Sequence, residues 1–343
     1  MAAIVKGPLN LITDVAGLAV ANAEDPDALS GVTVIVPDRP VVAAVDVRGG
    51  APGTRDTDAL DPACLVETVH GFVLSGGSVF GLEAASGVVA WLARRGIGFT
   101  FGPGQPPAPV VPSAVLFDLI NGGRKDWGLD PPYRRLALDA CDRLGTTFAL
   151  GNAGAGLGAV AGRFKGGLGS ASAGWGGFTV GALVAVNSMG SPVVPGTTDL
   201  WAADYALDDE LPQPRRTRAS GHTLIEGTKF ELMAAPAAPG GNTTIAVVAT
   251  DAVLTKAEAR RIAIMAHDGM ARAVRPMHTP FDGDTVFAAA TGRVPLSGPR
   301  ATTVSHLGAI AADTLARAIG RGVWEAGSVG AFTGYRDVLR RRL

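Results

Sequence analysis

The stretch between Asp142 and Asp199 contains no aspartate or glutamate, and it is rich in Gly, Ala and Val. A segment without acidic groups can be buried along nearly its whole length, because it brings no unpaired carboxylate into the interior. We therefore expect this stretch to form the centre of the hydrophobic core. Hydrophobic residues make up 47% of the 343 residues and charged residues 18%, which is enough apolar material for a large core and excludes bulk disorder.

Segments with strand and helix patterns alternate along the chain, which predicts one α/β domain without internal repeats. Thr255-Lys-Ala-Glu258 is typical of a capping box, in which a hydroxyl and a carboxylate bind the first free backbone N–H groups of a helix. The predicted strands are residues 31–36, 41–47, 97–101, 110–119, 146–150, 245–250 and 285–290. The predicted helices are residues 62–95, 132–144, 255–273 and 303–321.

The segment of residues 195–241 differs in composition from the chain around it. It carries most of the mid-chain charge and several prolines, and it shows little sustained periodicity. Connections of this length are uncommon in compact chains and are usually functional or disordered. We predict a long surface connection that ends abruptly where the apolar run of residues 245–250 begins.

Charge and cysteine content restrict the location and the partners of the protein. The 30 Lys and Arg residues nearly balance the 31 Asp and Glu residues, so the electrostatic basis for nucleic-acid binding is missing. Two cysteines, Cys64 and Cys141, cannot form a disulfide framework, which favours a reducing compartment. No secretory signal or apolar run of membrane-spanning length is present, so we predict a cytoplasmic protein without a membrane partner.

The sequence gives little support for the common cofactor-binding and metal-binding motifs. Gly154-Ala-Gly156-Leu-Gly158-Ala matches a loose dinucleotide pattern, but the acidic residue that would bind the ribose about twenty positions later falls in the acid-free stretch and is missing. There is no phosphate loop and no Gly-x-Ser-x-Gly nucleophile elbow. The five histidines have no ligand-forming spacing, so we predict neither a cofactor nor a metal.

The junction Asn242-Thr243 allows two interpretations. In the first, a glycine turn leads into a strand in which threonine serves its β propensity. In the second, the Thr243 hydroxyl attacks the carbonyl carbon of Asn242, the resulting ester hydrolyses, and Thr243 becomes a new N-terminus. Its α-amine, with an ordinary pKa of about 8, could then accept a hydroxyl proton without a histidine.

The cluster Asp282-Gly283-Asp284 precedes the next predicted strand. It reads either as an ordinary acidic turn or as two carboxylates that orient a hydroxyl and an ammonium group at a strand entrance. The residues that follow supply no carboxylates at the spacing of a calcium loop.

Taken together, these motifs resemble one family. Gly-Asn242-Thr243-Thr-Ile and, about thirty residues later, Met277-His-Thr-Pro-Phe-Asp282-Gly-Asp284-Thr are similar to the self-processing N-terminal nucleophile amidases of the L-aminopeptidase/D-amidase-esterase type, peptidase family S58. This family includes the β-peptidyl aminopeptidases and the nylon-oligomer hydrolase. Further matching segments, in the same order, are residues 12–20, 46–51, 74–82, 111–118 and 154–167.

The resemblance implies a four-layer αββα sandwich, cleaved into chains of residues 1–242 and 243–343 that together form one domain. Thr243 matches the family nucleophile, and Asp282 and Asp284 match the acidic pair of the nylon-oligomer hydrolase, where the aminopeptidase branch has Ser and Glu. Asn187 matches an asparagine that stabilises the oxyanion. Arg163, which the resemblance places among the catalytic residues, stands where the nylon-oligomer hydrolase and many relatives have a lysine.

A second departure from the family pattern is Phe117, which stands where several members carry a tyrosine near the oxyanion. The resemblance predicts an amide hydrolase that acts on small peptides, amino-acid amides or ω-amino-acid oligomers, without a cofactor, as a homotetramer of processed units. Its alternatives are a pantetheine hydrolase of secondary metabolism, an amino-acid acetyltransferase on a related self-cleaving fold, and an unprocessed binding protein.

Overall fold

The computed structural model describes residues 2–214, 223, 225–232 and 241–342. The strands are β1 (Val5–Lys6), β2 (Leu18–Asp25), β3 (Ser30–Pro37), β4 (Val41–Val47), β5 (Thr54–Arg55), β6 (Thr68–Val69), β7 (Phe72–Ser75), β8 (Ser113–Val115), β9 (Val160–Ala161), β10 (Phe164–Lys165), β11 (Gly167–Trp175), β12 (Phe178–Asn187), β13 (Thr243–Ala252) and β14 (Thr285–Val294). The α-helices are α1 (Glu83–Arg94), α2 (Tyr133–Cys141), α3 (Lys256–Ala273), α4 (Arg300–Glu325) and α5 (Tyr335–Arg342).

Two sheets form the centre of the molecule. The larger has the strand order β1-β11-β12-β13-β14-β4-β6, and its neighbours are antiparallel except for the parallel pair β13 and β14. The smaller has the order β2-β3-β7-β8-β5, with β7 and β8 parallel. Strands β9 and β10 pair separately.

Three apolar clusters separate four layers. One lies between the larger sheet and the helices α3 and α4, one between the two sheets, and one between the smaller sheet and the helices α1 and α2. Strand β13 shows how alternation divides its residues: Ala246 and Val248 face the helices, whereas Ile245, Val247 and Ala249 face the other sheet. The predicted αββα sandwich is therefore confirmed.

The acid-free stretch supplies β11 and β12, which lead up to β13 in the larger sheet, and its residues 151–194 are mostly buried, whereas residues 143–150 are half-buried or exposed, contrary to the prediction. Its small residues let helix α4 approach the sheet closely. A Cβ atom added at Gly169 would lie only 1.9 Å from the carbonyl oxygen of Ala318. Glycine is therefore required at Gly169 by the helix packed on it.

Several predicted elements need correction. Within residues 62–95 only Glu83–Arg94 is α-helix, and the same range contains β6 and β7. Residues 97–101 and 146–150 are not strands. Phe99 and Phe101 are exposed and do not join a sheet. At residues 146–150 the Asn22 side chain donates to the Ala149 carbonyl at 3.1 Å, in place of a strand ladder. The predicted capping box of α3 is confirmed.

The segment predicted as a surface connection is partly buried. Leu200, Ala202 and Leu211 belong to the apolar cluster that contains residues of α4. The chain packs against that helix here through a short 3-10 helix, Trp201–Tyr205. The remainder of the prediction, residues 215–222, 224 and 233–240, falls outside the described residues. No helix in the described part of the chain has both the length and the apolar character needed to cross a membrane.

A buried ion pair fixes the connection to α4. Arg317 Nε and Nη2 donate to the two carboxylate oxygens of Glu210 at 2.5 and 2.9 Å, and Nη2 also donates to Asn10 Oδ1 at 2.9 Å. Both side chains are almost completely buried. This ion pair thus holds the connection against α4, and each charge depends on the other because both are shielded from water.

We expect Arg317→Met to destabilise the protein strongly, because it leaves the Glu210 carboxylate buried without its partner. Loss of one member of a buried ion pair costs about 3–5 kcal/mol. Urea unfolding measures the change, with Arg260→Met as the control. Arg260 forms a half-exposed pair with Asp61, for which a loss below about 1 kcal/mol is expected. Equal shifts for the two variants would contradict the assignment.

Candidate active site

The Asn242-Thr243 junction lies at the edge of the larger sheet where the central strand β13 begins. Thr243 is the first residue of β13 and is only 3% exposed, and Asn187, the last residue of β12, lies opposite it in the ladder. Thr243 Oγ1 donates a hydrogen bond to the carbonyl oxygen of Asn242, and the Gly283 N–H donates to the same oxygen at 3.0 Å. The hydroxyl and a backbone donor thus meet at one carbonyl group.

The parallel pairing of β13 and β14 brings the acidic cluster to this junction. Parallel strands begin at the same edge of a sheet, so the loop before β14 lies beside the start of β13. Asn242 and Asp282 form a parallel bridge. Between the two aspartates, a Cβ atom at Gly283 would lie 2.7 Å from the Ala51 carbonyl oxygen and 2.8 Å from Thr243 Oγ1, and these two close approaches explain the glycine.

Asp282 is fully buried and accepts hydrogen bonds from three groups. Its Oδ1 accepts from the Met189 N–H at 3.1 Å, and its Oδ2 accepts from the Thr279 N–H at 3.0 Å and the Thr279 hydroxyl at 2.5 Å. Burial raises the pKa of Asp282, and the charge of Asp284 raises it further. These bonds fix the carboxyl group next to the junction.

Asp284 is also fully buried and connects the junction to a histidine pair. Its Oδ1 accepts from the Thr244 N–H at 2.8 Å, and its Oδ2 accepts from the His278 N–H at 3.0 Å and contacts His278 Nδ1 at 2.9 Å. The His278 ring packs edge-on against His267 at 4.8 Å between centroids. Burial lowers the pKa of His267 to about 4, so this imidazole is neutral at pH 7.

Asn187 is buried and its amide group has only one consistent orientation. Oδ1 accepts from the Val160 N–H at 2.9 Å, and Nδ2 donates to the Phe117 carbonyl at 2.9 Å. A backbone N–H can only donate and a carbonyl oxygen can only accept, so a flipped amide would lose both bonds. Among the described residues, the second Nδ2 hydrogen has no partner and is free for a ligand.

The Arg163 side chain lies largely at the surface. Its side chain is 57% exposed and pairs with Glu231 at 3.3 Å, while its backbone N–H donates to the Gly227 carbonyl at 3.2 Å. The cation nearest to Asn187 is instead Lys229, whose Nζ lies 3.3 Å from Asn187 Oδ1 and 3.4 Å from Asn187 O. Burial lowers the pKa of Lys229 to about 7, against the opposing effect of the Asp282 charge.

Sequence reasoning missed Lys229 because the residue stands alone within the connection, without a motif around it. The other predicted site residues, Thr243, Asn187, Asp282 and Asp284, converge on the same edge of the sheet. The described residues contain no group of three or more side chains that could hold a metal ion. The arrangement brings together a hydroxyl group, amide and backbone N–H donors and buried carboxyl groups, which are the group types that acyl transfer uses.

Comparison with known proteins agrees with this chemistry. The model of peptidase family S58 matches residues 10–336. The chain belongs to peptidase family S58. It is 44% identical to an uncharacterized aminopeptidase of Mycobacterium tuberculosis, over 96% of this chain and 98% of that protein. It is also 28% identical to a 6-aminohexanoate-oligomer endohydrolase of Kocuria sp., over 88% and 82% of the two chains.

Solved structures of the same fold support the architecture. A beta-aminopeptidase of Burkholderia sp. superposes with a TM-score of 0.71 at 24% identity, covering 99% of this chain and 96% of that one. The L-aminopeptidase D-Ala-esterase/amidase of Ochrobactrum anthropi superposes with a TM-score of 0.70 at 23% identity, covering 98% and 95%. The family and its relatives identify this S58 member as a hydrolase of the aminopeptidase and amidase type that acts on amide bonds.

We expect Gly283→Ala to lower kcat/KM about 100-fold on the amino-acid amide that the wild-type protein hydrolyses best, because the new methyl group displaces Thr243 Oγ1 by a fraction of an ångström or more. Gly102→Ala is the matched control, since a Cβ there meets no atom within 4 Å and should leave kcat/KM unchanged. A Gly283→Ala protein with wild-type kcat/KM would show that the close approach to Thr243 is irrelevant to activity.

Proposed function

We propose that this S58 hydrolase cleaves its own chain between Asn242 and Thr243 and then uses Thr243 as an N-terminal nucleophile. The observation that carries the proposal is the geometry at one carbonyl group. Thr243 Oγ1 contacts the Asn242 oxygen, and the Gly283 N–H binds the same oxygen at 3.0 Å, where it would stabilise an oxyanion.

Self-cleavage follows from these contacts as an acyl shift. Thr243 Oγ1 bonds to the Asn242 carbonyl carbon and gives up its proton, which passes to the Thr243 nitrogen, while the carbonyl oxygen becomes an oxyanion held by the Gly283 N–H. The oxyanion then re-forms the carbonyl group, the C–N bond breaks to release the protonated nitrogen, and an ester links the two residues. Water hydrolyses this ester and releases residues 1–242 and residues 243–343, which stay together as one folded unit.

The Asn242 side chain supports cleavage at this bond. Its Oδ1 is buried and has no hydrogen-bond partner among the described residues. A buried polar atom without a partner costs about 1–3 kcal/mol. Cleavage turns Asn242 into a chain end that can leave this position, so the cost disappears from the product.

In the mature enzyme the freed α-amine of Thr243 acts as the base. It accepts the hydroxyl proton, Oγ1 attacks the substrate carbonyl, and the free Nδ2 hydrogen of Asn187 binds the oxyanion. The amine then donates a proton to the leaving group, and water hydrolyses the acyl-enzyme. Asp282 and Asp284 hold the start of β13 in place, Asp284 through the Thr244 N–H at 2.8 Å.

The proposed substrates are small: the N-terminal residues of short peptides, amino-acid amides, β-peptides or ω-amino-acid oligomers. The carboxyl pair Asp282 and Asp284 and the threonine at 243 favour the type represented by the 6-aminohexanoate-oligomer endohydrolase. A homotetramer of processed units in the cytoplasm remains a prediction from the sequence.

Intact-mass analysis of freshly purified protein tests self-cleavage. The wild-type protein should give two fragments that meet between Asn242 and Thr243, and Thr243→Ala should stay whole because it lacks the attacking hydroxyl. Thr243→Ser keeps the hydroxyl and should still be cut. A wild-type chain that stays whole through prolonged incubation would overturn the proposal.

Asn187→Ala should reduce kcat about 100- to 1000-fold with little effect on KM, because loss of one oxyanion donor acts mainly in the transition state. Steady-state kinetics on processed protein provide the measurement. Asn152→Ala is a control for loss of a partly buried asparagine, because its Nδ2 donates to the Gly327 carbonyl and not to a group of the junction. An unchanged kcat for Asn187→Ala would remove this residue from the mechanism.

A further inference from the structure

A short piece of the connection, residues 225–232, is docked on the candidate site through its backbone and its side chains. The Gly227 carbonyl accepts from the Arg163 N–H at 3.2 Å, and the Lys229 N–H donates to the Met189 carbonyl at 3.0 Å. The Phe230 and Phe281 rings pack edge-on at 6.0 Å. Residue 189 is also the one whose N–H binds Asp282. This docking places the Lys229 side chain inside the site.

The Lys229 side chain is partly buried, and its ammonium group lies beside Asn187. It lies 3.3 Å from Asn187 Oδ1 and 3.4 Å from Asn187 O, which makes it the second donor to Oδ1 after the Val160 N–H. An ammonium group can only donate, so it reinforces the amide orientation set by the Val160 N–H and the Phe117 carbonyl, in which one Nδ2 hydrogen is left for an oxyanion. It also places a positive charge near Asp282, which opposes the effect of the negative charge of Asp284 on the same carboxyl group.

We propose that Lys229 is a positioning residue of this site, whose ammonium group fixes the Asn187 amide for oxyanion binding and balances the charge of Asp282. The inference rests on the proposed function, in which Asn187 is the side-chain oxyanion donor. Lys229 forms no bond to the reacting atoms and transfers no proton. Arg163, paired with Glu231 near the outside of the site, cannot replace it, because its side chain is exposed.

The role predicts a specific pH dependence. Burial lowers the pKa of Lys229 to about 7, so its ammonium form is complete below this pH and is lost as the pH rises through it. The charged groups that face it are Asp282 and, behind Asp282, Asp284, with the Arg163–Glu231 pair at the rim. A positioning ammonium therefore makes self-cleavage slower above about pH 7, whereas a lysine that acts as a base would make it faster.

Self-cleavage can be followed by synthesising the full chain in a cell-free system and measuring the fraction cut at set pH values. The variants are Lys229→Met, which removes the charge at similar length, and Lys229→Arg, which keeps a cation that does not titrate near pH 7. Lys256→Met is the matched control. Lys256 is buried and donates to the carbonyls of Asp61 and Val66, but it follows the far end of β13, about 30 Å from Thr243 at the usual strand rise.

We expect Lys229→Met to slow self-cleavage at least 10-fold and to lower kcat of any processed protein by a similar factor, with KM within twofold of wild type. Lys229→Arg should restore a measurable part of the rate and should abolish its decline above pH 7. Lys256→Met should lower the urea midpoint while keeping the wild-type pH profile.

Two results would overturn the role of Lys229. One is a Lys229→Met protein that is cut and turns over like wild type with the same pH profile. The other is equal loss in Lys229→Met and Lys229→Arg, with urea midpoints lowered as in Lys256→Met, which would make the residue merely structural. Either result leaves self-cleavage by Thr243 standing, whereas an uncut wild-type chain refutes the proposed function itself.

Discussion

The parallel pairing of β13 with β14 is the constraint on which the site depends. An antiparallel neighbour would place the start of β14 at the far end of β13, whereas the parallel pair brings Thr243 and Asp284 to one edge. The antiparallel partner on the other side, β12, ends at that same edge and contributes Asn187 opposite Thr243. Two pairing directions in one sheet therefore bring together a threonine hydroxyl from β13, an amide donor from β12 and a carboxyl pair from the loop before β14.

Several polar side chains are buried together at this edge, and backbone N–H groups supply the hydrogen bonds that their burial requires. Asp282 and Asp284 accept from the N–H groups of Met189 and Thr244, and from neighbouring residues of their own loop. Backbone donors of this kind are fixed before any substrate arrives, so little reorganisation is needed when charge develops in the transition state. The same low-dielectric surroundings raise the pKa of Asp282 and lower that of Lys229, because burial disfavours the charged form of each group.

Sequence patterns predicted one α/β domain, because alternating strand and helix signals are local features, whereas the sandwich and the site residues were expected from the resemblance to the S58 family. Apolar β-branched runs and a capping box located β13, β14 and α3, and ordered motifs located Thr243, Asp282 and Asn187. Patterns failed where long-range contacts decide the outcome. Residues 146–150 have strand composition but meet the Asn22 side chain instead of a neighbouring strand. Lys229 lies within a charged, proline-rich connection, and only the docking of residues 225–232 on Met189 and Arg163 shows that it belongs to the site.

In the proposed mechanism Thr243 carries the acyl group during turnover, so an acyl-enzyme can be trapped. Processed protein would be mixed with an activated amino-acid ester, quenched in acid within milliseconds to seconds, and examined by intact and tandem mass spectrometry. We expect an acyl adduct on the fragment of residues 243–343, located at its first residue. Turnover of the ester without any adduct on that fragment, or with an adduct on a different residue, would exclude Thr243 as the acyl carrier.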